Sequence, residues 1–425
     1  MSRPGLILIL MDGISSQRFA ETRARLPHLD ALARDGLLIE RLGADTNANS
    51  MPARAGVLTG QPAQVHGIYS NGIYSNGIHG PGAETETEFA SVTGTETDRD
   101  RHASDASATA GHFRPAAVED LRGETLLEAA RAAGLRVASL GFGLARPESC
   151  NWYLSPWWEE GDLRAKGMTA PRLNHWDARN DALMRAMSND QQLLNEALSL
   201  IERETPELVL LELNTPDYCL HVHGNDDALV DGALMMVDAQ LGSLLAGLEA
   251  INRRETYHLC VFSDHGHAPV QRALVADRLL PDVALQCDGG LLLVACDDDE
   301  RQREQAARLA EFGVTSLEAA DFLPPDVTHI QLYQAPPGMS FEPACKHAHH
   351  AELMAAPGYV STHGFGPGAT SDQRFAILHG PSISAGERLE LESLALHPRL
   401  RQVLGLPPLD EASTPLRARD LQEVD

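Results

Sequence analysis

The chain of 425 residues carries a formal net charge of −26, with 60 acidic residues against 34 basic ones. That balance argues against a nucleic-acid polymer or an anionic membrane as partner, and it leaves any anionic substrate to be held by local cations or metals. The length and a hydrophobic content of 43% fit a large α/β domain with insertions or two domains, and six scattered cysteines point to reduced thiols in a cytoplasmic protein.

Residues Gly5–Met11 form a continuous apolar run that ends in Asp12-Gly13. A strand buried on both faces of a parallel sheet reads this way, and ligand sites of open α/β sheets collect at such carboxyl ends. The run is too short for a signal segment or a membrane span. Residues 27–36 predict a helix with proline at its start and glycine at its stop, and residues 37–42 a second strand. In the stretch that follows, Ser50, Pro52, Ala53, Arg54 and Ala55 suit the start of a helix, and Thr59-Gly60 its end. A hydroxyl at a helix N-terminus is either a cap or a nucleophile at an anion site. The local sequence alone favours the cap.

The segment beginning at Gly67 is duplicated at Gly72, which reads as a loop duplication, and residues 81–117 as a mobile acidic loop. Strand–helix alternation resumes with a helix at 123–134 and a strand at 136–141. Residues 144–187 hold all four tryptophans and read as a cap insertion or a packed loop. A helix at 191–203 and a strand at Leu208–Leu213 lead to Asp217 and His221; a long helix at Ala228–Ala250 and a strand at 258–262 lead to Asp264 and His265. From 269 to 357 the alternation loosens, with strands at 290–295 and 329–333 and a helix at 300–312, which predicts an inserted subdomain. His363, a strand at 374–378 and a helix at 397–404 return to a core made of residues 1–268 and 358–425.

Strand ends thus deliver Asp12, Asp217, His221, Asp264, His265 and His363, the oxygen and nitrogen donors that zinc accepts. Asp217 and His221 share one face if their segment is helical. Other candidates have plainer readings. His347, His349 and His350 suit an exposed polar run rather than a further metal cluster, His66 a substrate contact or a structural hydrogen bond, Cys219 packing, and Tyr69 and Tyr74 loop packing or a pocket wall.

These motifs, in this order, resemble the alkaline phosphatase superfamily and above all its nucleotide pyrophosphatase/phosphodiesterase branch. The likeness covers Asp12-Gly13, Ser50-x-Pro52, Thr59-Gly60, His66-Gly67 with Asn71, Asp217 with His221, Ser263-Asp264-His265-Gly266 and His363-Gly364. It implies a mixed, mostly parallel sheet flanked by helices with inserted cap segments. It further implies one metal held by Asp217, His221 and His363, and a second held by Asp12, Asp264 and His265 and touching Ser50. Asn71 matches an asparagine that contacts phosphate, and Arg54, one turn from Ser50, is expected to face the same anion. The two divalent ions are expected to be zinc, with manganese or iron as alternatives. The expected activity is hydrolysis of a small-molecule phosphate mono- or diester, or a related phosphonate, through a phosphoseryl intermediate on Ser50. Ser50-x-Pro52-x-Arg54 is also similar to the sulfatase signature, so a sulfatase or phosphonate hydrolase using formylglycine is the alternative, and a non-catalytic binding member a third reading.

Overall fold

The computed structural model describes residues 3–43, 49–75, 111–156, 182–225, 228–347, 351–366, 369 and 372–409. Eight strands in chain order build the main sheet: β1 (Gly5–Met11), β2 (Leu37–Gly43), β3 (Val137–Leu140), β4 (Trp152–Leu154), β5 (Leu208–Leu213), β6 (Tyr257–Phe262), β7 (Arg374–His379) and β8 (Glu387–Glu392). Their spatial order is β8-β2-β7-β6-β1-β5-β3-β4. β1 lies at the middle, parallel to β5 with Leu8 opposite Leu210 and parallel to β6 with Leu8 opposite Cys260. Only β7 runs against its neighbours, pairing antiparallel with both β6 and β2. The sheet is therefore mixed and mostly parallel, as the motif order implies.

β1 is apolar throughout because both its faces are covered. Leu6, Leu8 and Leu10 pack with Ala55, Val57 and Leu58 of the helix Ser50–Thr59 and with Leu400 and Leu404 of the helix Leu396–Leu404. Ile7, Ile9 and Met11 face the opposite way, towards Leu29, Leu200 and Leu241 of the helices Pro27–Asp35, Ala182–Glu204 and Ala228–Ala250. The last of these is long and apolar enough to cross a bilayer. Its Val230, Leu234, Val237, Leu241, Leu244 and Leu248 are nonetheless buried in this core.

Residues 269–357 contribute a four-stranded antiparallel sheet in the order Leu285–Asp288, Leu291–Ala295, Ile330–Gln334, Thr315–Leu317, with the helix Asp299–Ala310. The two-residue period splits its side chains. Leu292, Val294 and Tyr333 join Leu274, Leu309 and Phe341 in a separate cluster, whereas Leu291, Leu293, Ile330 and Leu332 join the cluster of Leu6, Leu8 and Leu10.

Several sequence expectations change here. The second copy of the duplicated segment is not loop: Gly72–Ser75 pairs antiparallel with His112–Pro115 in a two-stranded sheet. Residues 76–110, most of the expected acidic loop, lie outside the described residues, as do 157–181 of the expected cap insertion with Trp157, Trp158 and Trp176, and His349 and His350. The described part of that insertion includes edge strand β4, whose Tyr153 and Leu154 are buried. At the other edge, β8 was not foreseen, because glutamates alternate with Leu389 and Leu391 and mask its hydrophobic signal.

The shared packing predicts that Leu293→Ala lowers the stability of the whole chain by about 2–5 kcal/mol, the usual cost of such a truncation. Calorimetry should show one transition that moves as a unit; a separate, minor transition that alone shifts would contradict this packing.

Candidate two-metal active site

The carboxyl ends of the three central strands converge. β1 is followed directly by Asp12; β5 leads into the helix Thr215–His223, which carries Asp217 and His221; β6 leads to Asp264 and His265. His363 arrives with the two-residue strand Ser361–Thr362, which pairs with Ala268–Pro269 just beyond β6. Gly13 makes the approach possible: its φ is +82°, and a Cβ there would lie 2.8 Å from the Cα of Asp217.

Ser50 is the first residue of its helix, with Asn49 in the cap position. The capping alternative thus falls away, since the side chain of Ser50 is turned to other groups. Its Oγ is 3.0 Å from Nε2 of His265. That nitrogen is 3.3 Å from Asp12 Oδ1 and 3.7 Å from Asp264 Oδ2. Donor atoms on a single ion bound at about 2.0–2.2 Å stand at comparable separations. Asp12 Oδ1 and Asp264 Oδ2 are buried and accept no hydrogen bond from the described residues. Burial, then the charges of Asp264 and Asp217, raise the Asp12 carboxyl well above its ordinary range. A buried carboxylate group short of donors and of positive charge fits a divalent cation.

Asp217 collects the other histidines. Its carboxylate lies 3.6 Å from His221 Nε2 and 2.7 Å from His267 Nε2. Burial alone would raise its pKa, but His221, His267 and His265 carry it well below the usual range. Asp217 groups with His265 and His363, and separately with His221 and His267, as sets of donors close enough to hold an ion.

The hydrogen bonds of the imidazoles assign their tautomers. Nδ1 of His221 meets the Ser361 carbonyl at 2.9 Å, Nδ1 of His265 the Gly266 carbonyl at 3.3 Å, and Nδ1 of His363 the Asn49 Oδ1 at 3.0 Å. These oxygens only accept, so each Nδ1 carries the proton and each Nε2 keeps a lone pair for a metal. Burial, the largest influence on all three, lowers their pKa values, to about 4 for His221, so they are neutral imidazoles at neutral pH. His267 is arranged the other way, donating from Nε2 to Asp217, while its buried Nδ1 has no hydrogen-bond partner among the described residues. The sequence reading passed over it although it lies two residues beyond His265 at the same strand end.

Arg54 departs from expectation. It does lie one turn from Ser50, but its Nη2 is 2.7 Å from Asp12, 2.8 Å from Glu212 and 3.5 Å from Asp264, with 3% of its side chain exposed. The guanidinium serves as counter-ion beneath the carboxylates rather than as an anion contact. Glu212, on buried β5, was also missed because a lone acid in an apolar strand carries no motif.

Asn71 closes the opposite side of the site. Its Oδ1 accepts from the backbone N–H of Met51, and its Nδ2 donates to Asp288. Among the remaining candidates, His66 is buried, receives the Ile68 N–H on Nδ1 and is held near a pKa of about 3 by burial. Cys219 is buried and Tyr69 OH accepts from Tyr74 N–H. His347, expected to be exposed, is instead buried and paired with Glu342 at 2.8 Å, because the turn at Ala344–His347 folds it inward.

Arg54→Gln should destabilise the protein by roughly 3–5 kcal/mol in metal-free buffer, the scale expected when one partner leaves a buried ion network. Thermal melts should show a divalent ion restoring much of the loss; a variant as stable as the parent without metal would contradict the counter-ion role.

The fold is shared with known proteins. The murine ectonucleotide pyrophosphatase/phosphodiesterase 5 has a similar structure, with a TM-score of 0.65 and 15% identity over 96% of each chain. The human protein of the same name gives a TM-score of 0.66 at 14% identity, again over 96% of each chain. An inactive variant of the murine protein, solved in complex with AMP, gives a TM-score of 0.65 at 15% identity and 96% coverage of both chains. No curated protein sequence matches the chain. The sulfatase-like reading finds no support, since the matching family is a phosphodiesterase family and Arg54 is turned to carboxylates. The sequence pattern of the family described as Type I phosphodiesterase / nucleotide pyrophosphatase matches residues 6–381, and the chain belongs to that family of phosphoric ester hydrolases.

Proposed function

We propose that the chain hydrolyses a small nucleotide phosphate ester through a phosphoseryl intermediate on Ser50. The observation that carries this reading is the convergence of Ser50 Oγ, Asp12, Asp264 and His265, with Nε2 of His265 3.0 Å from the hydroxyl. The AMP bound by the murine structural relative supports a nucleotide as the substrate class.

Asp12, Asp264 and His265, with Ser50, would hold one divalent ion, and Asp217, His221 and His363 the other. When bound, the ions supply positive charge that favours the ionised nucleophile and the developing charge of the leaving oxygen. Zinc is the proposed metal, on the carboxylate and imidazole donor set. The Ser50 Oγ gives up its proton to solvent and forms a bond to phosphorus as the bond to the leaving oxygen breaks, and that oxygen takes a proton from solvent water. Water then attacks the phosphoserine, and the seryl oxygen departs to restore the hydroxyl. Asn71 keeps one carboxamide N–H beyond that given to Asp288, and this donor would hold a non-bridging phosphate oxygen. A cytoplasmic setting is proposed from the free, scattered cysteines.

Ser50→Ala should lower kcat on a chromogenic phosphodiester by at least about a thousandfold, the scale for loss of an activated nucleophile. The parent enzyme, acid-quenched during turnover, should carry on the peptide containing Ser50 the phosphoryl group together with the ester that the first displacement leaves in place, and AMP should inhibit competitively. Full activity in Ser50→Ala would overturn the reading, as would turnover of sulfate esters alone.

A further inference from the structure

The residue that joins the two halves of the site comes from outside the hydrolase core. Asp288 ends the strand Leu285–Asp288 within residues 269–357 and is 6% exposed. Its Oδ2 accepts from Asn49 Nδ2 at 2.9 Å, from Ser70 Oγ at 2.5 Å and from the Asn71 backbone N–H at 2.9 Å. Its Oδ1 accepts from Asn71 Nδ2 at 3.1 Å.

A carboxylate that only accepts fixes the amide orientations around it. Asn49 must turn Nδ2 to Asp288, which leaves its Oδ1 for His363 Nδ1 at 3.0 Å. Asn71 must likewise turn Nδ2 to Asp288, which leaves its Oδ1 for the Met51 N–H at 3.0 Å. The chain His363–Asn49–Asp288–Asn71 therefore runs from a metal-ligand imidazole to the carboxamide facing the phosphate. The backbone next to Asp288 is pressed against the same ligand: Gly289 has φ +64°, and a Cβ there would lie 2.2 Å from the His363 carbonyl oxygen. Gly290 N–H donates to that carbonyl at 2.9 Å.

We propose that Asp288 is a positioning residue that sets the Asn71 carboxamide for phosphate and, through Asn49, sets His363 for its metal, making the inserted segment part of the catalytic unit. The phosphate half of this inference rests on the proposed function; the metal half does not. Partners of this kind around ligating imidazoles typically change metal affinity about 10–100-fold when removed.

The experiment compares the parent with Asp288→Asn, Asn49→Ala and Glu342→Gln. The last turns one of the two acceptor oxygens that hold His347 and Gly358, elsewhere in the insertion, into a donor and reports general damage. Zinc affinity is measured by chelator competition, and kcat and KM on a chromogenic phosphodiester at saturating zinc. Asp288→Asn should weaken one zinc equivalent about tenfold, leave the other unchanged, and lower kcat more than it raises KM. Asn49→Ala should weaken the same equivalent with a smaller effect on kcat at saturating zinc, and it carries the test if Asp288→Asn does not fold. Glu342→Gln should match the parent in both readouts. Parental zinc affinity in Asp288→Asn and Asn49→Ala would overturn the proposal, as would equal losses in Glu342→Gln. A parent that binds zinc but cleaves no phosphate ester would overturn the proposed function while leaving the zinc comparison decisive for Asp288.

Discussion

Negative charge gathered where water cannot reach it is the constraint on which the rest of this molecule depends. Asp12, Asp264 and Glu212 are buried at the ends of central strands, Asp217 stands beside them, and the Arg54 guanidinium is wedged among the first three. Ionised carboxylates in such a place cost several kcal/mol each unless paired. One guanidinium offsets part of that cost, while Asp12 Oδ1 and Asp264 Oδ2 accept no hydrogen bond from the described residues. The fold is built to accept further positive charge.

The sheet explains why these carboxylates meet. β1, β5 and β6 are parallel neighbours, so their carboxyl ends open on the same edge and place their following residues in one crevice. The short pairing of Ser361–Thr362 with Ala268–Pro269 then returns the chain to that edge with His363. The helix that begins at Ser50 brings its hydroxyl from one side and Arg54 from beneath. Asp288 closes the opposite side with hydrogen bonds to Asn49, Ser70 and Asn71. The polar groups that would otherwise wander are thus held before any ligand arrives, which is what preorganised electrostatic catalysis requires.

What could be read from the residues was what local pattern encodes. Apolar runs, unbroken in β1 and interrupted only by Glu212 in β5, marked these strands, and polar residues after those runs marked the donor set, because burial on both faces and strand-end placement leave direct traces in sequence. The i, i+4 spacing of Asp217 and His221 was meaningful because the segment is helical. Arg54 was misjudged because periodicity tells which helical face a residue shares, not how that face is set against the sheet. Asp288 left no signal, since its partners lie 217 to 239 residues away and only tertiary packing brings them together. His347 was misread for a different reason: a polar run suggests solvent, but the turn at Ala344–His347 folds its ring back onto Glu342, five residues earlier.

The claim that unites these features is that the strand-end cluster holds two divalent ions. Elemental analysis of the purified chain after loading with zinc and removal of excess tests it most directly. Two equivalents per chain are expected, with the stoichiometry falling when Asp264 or His363 is replaced by alanine. A parent chain that retains no metal, or one whose metal content is unchanged by both substitutions, would contradict the account.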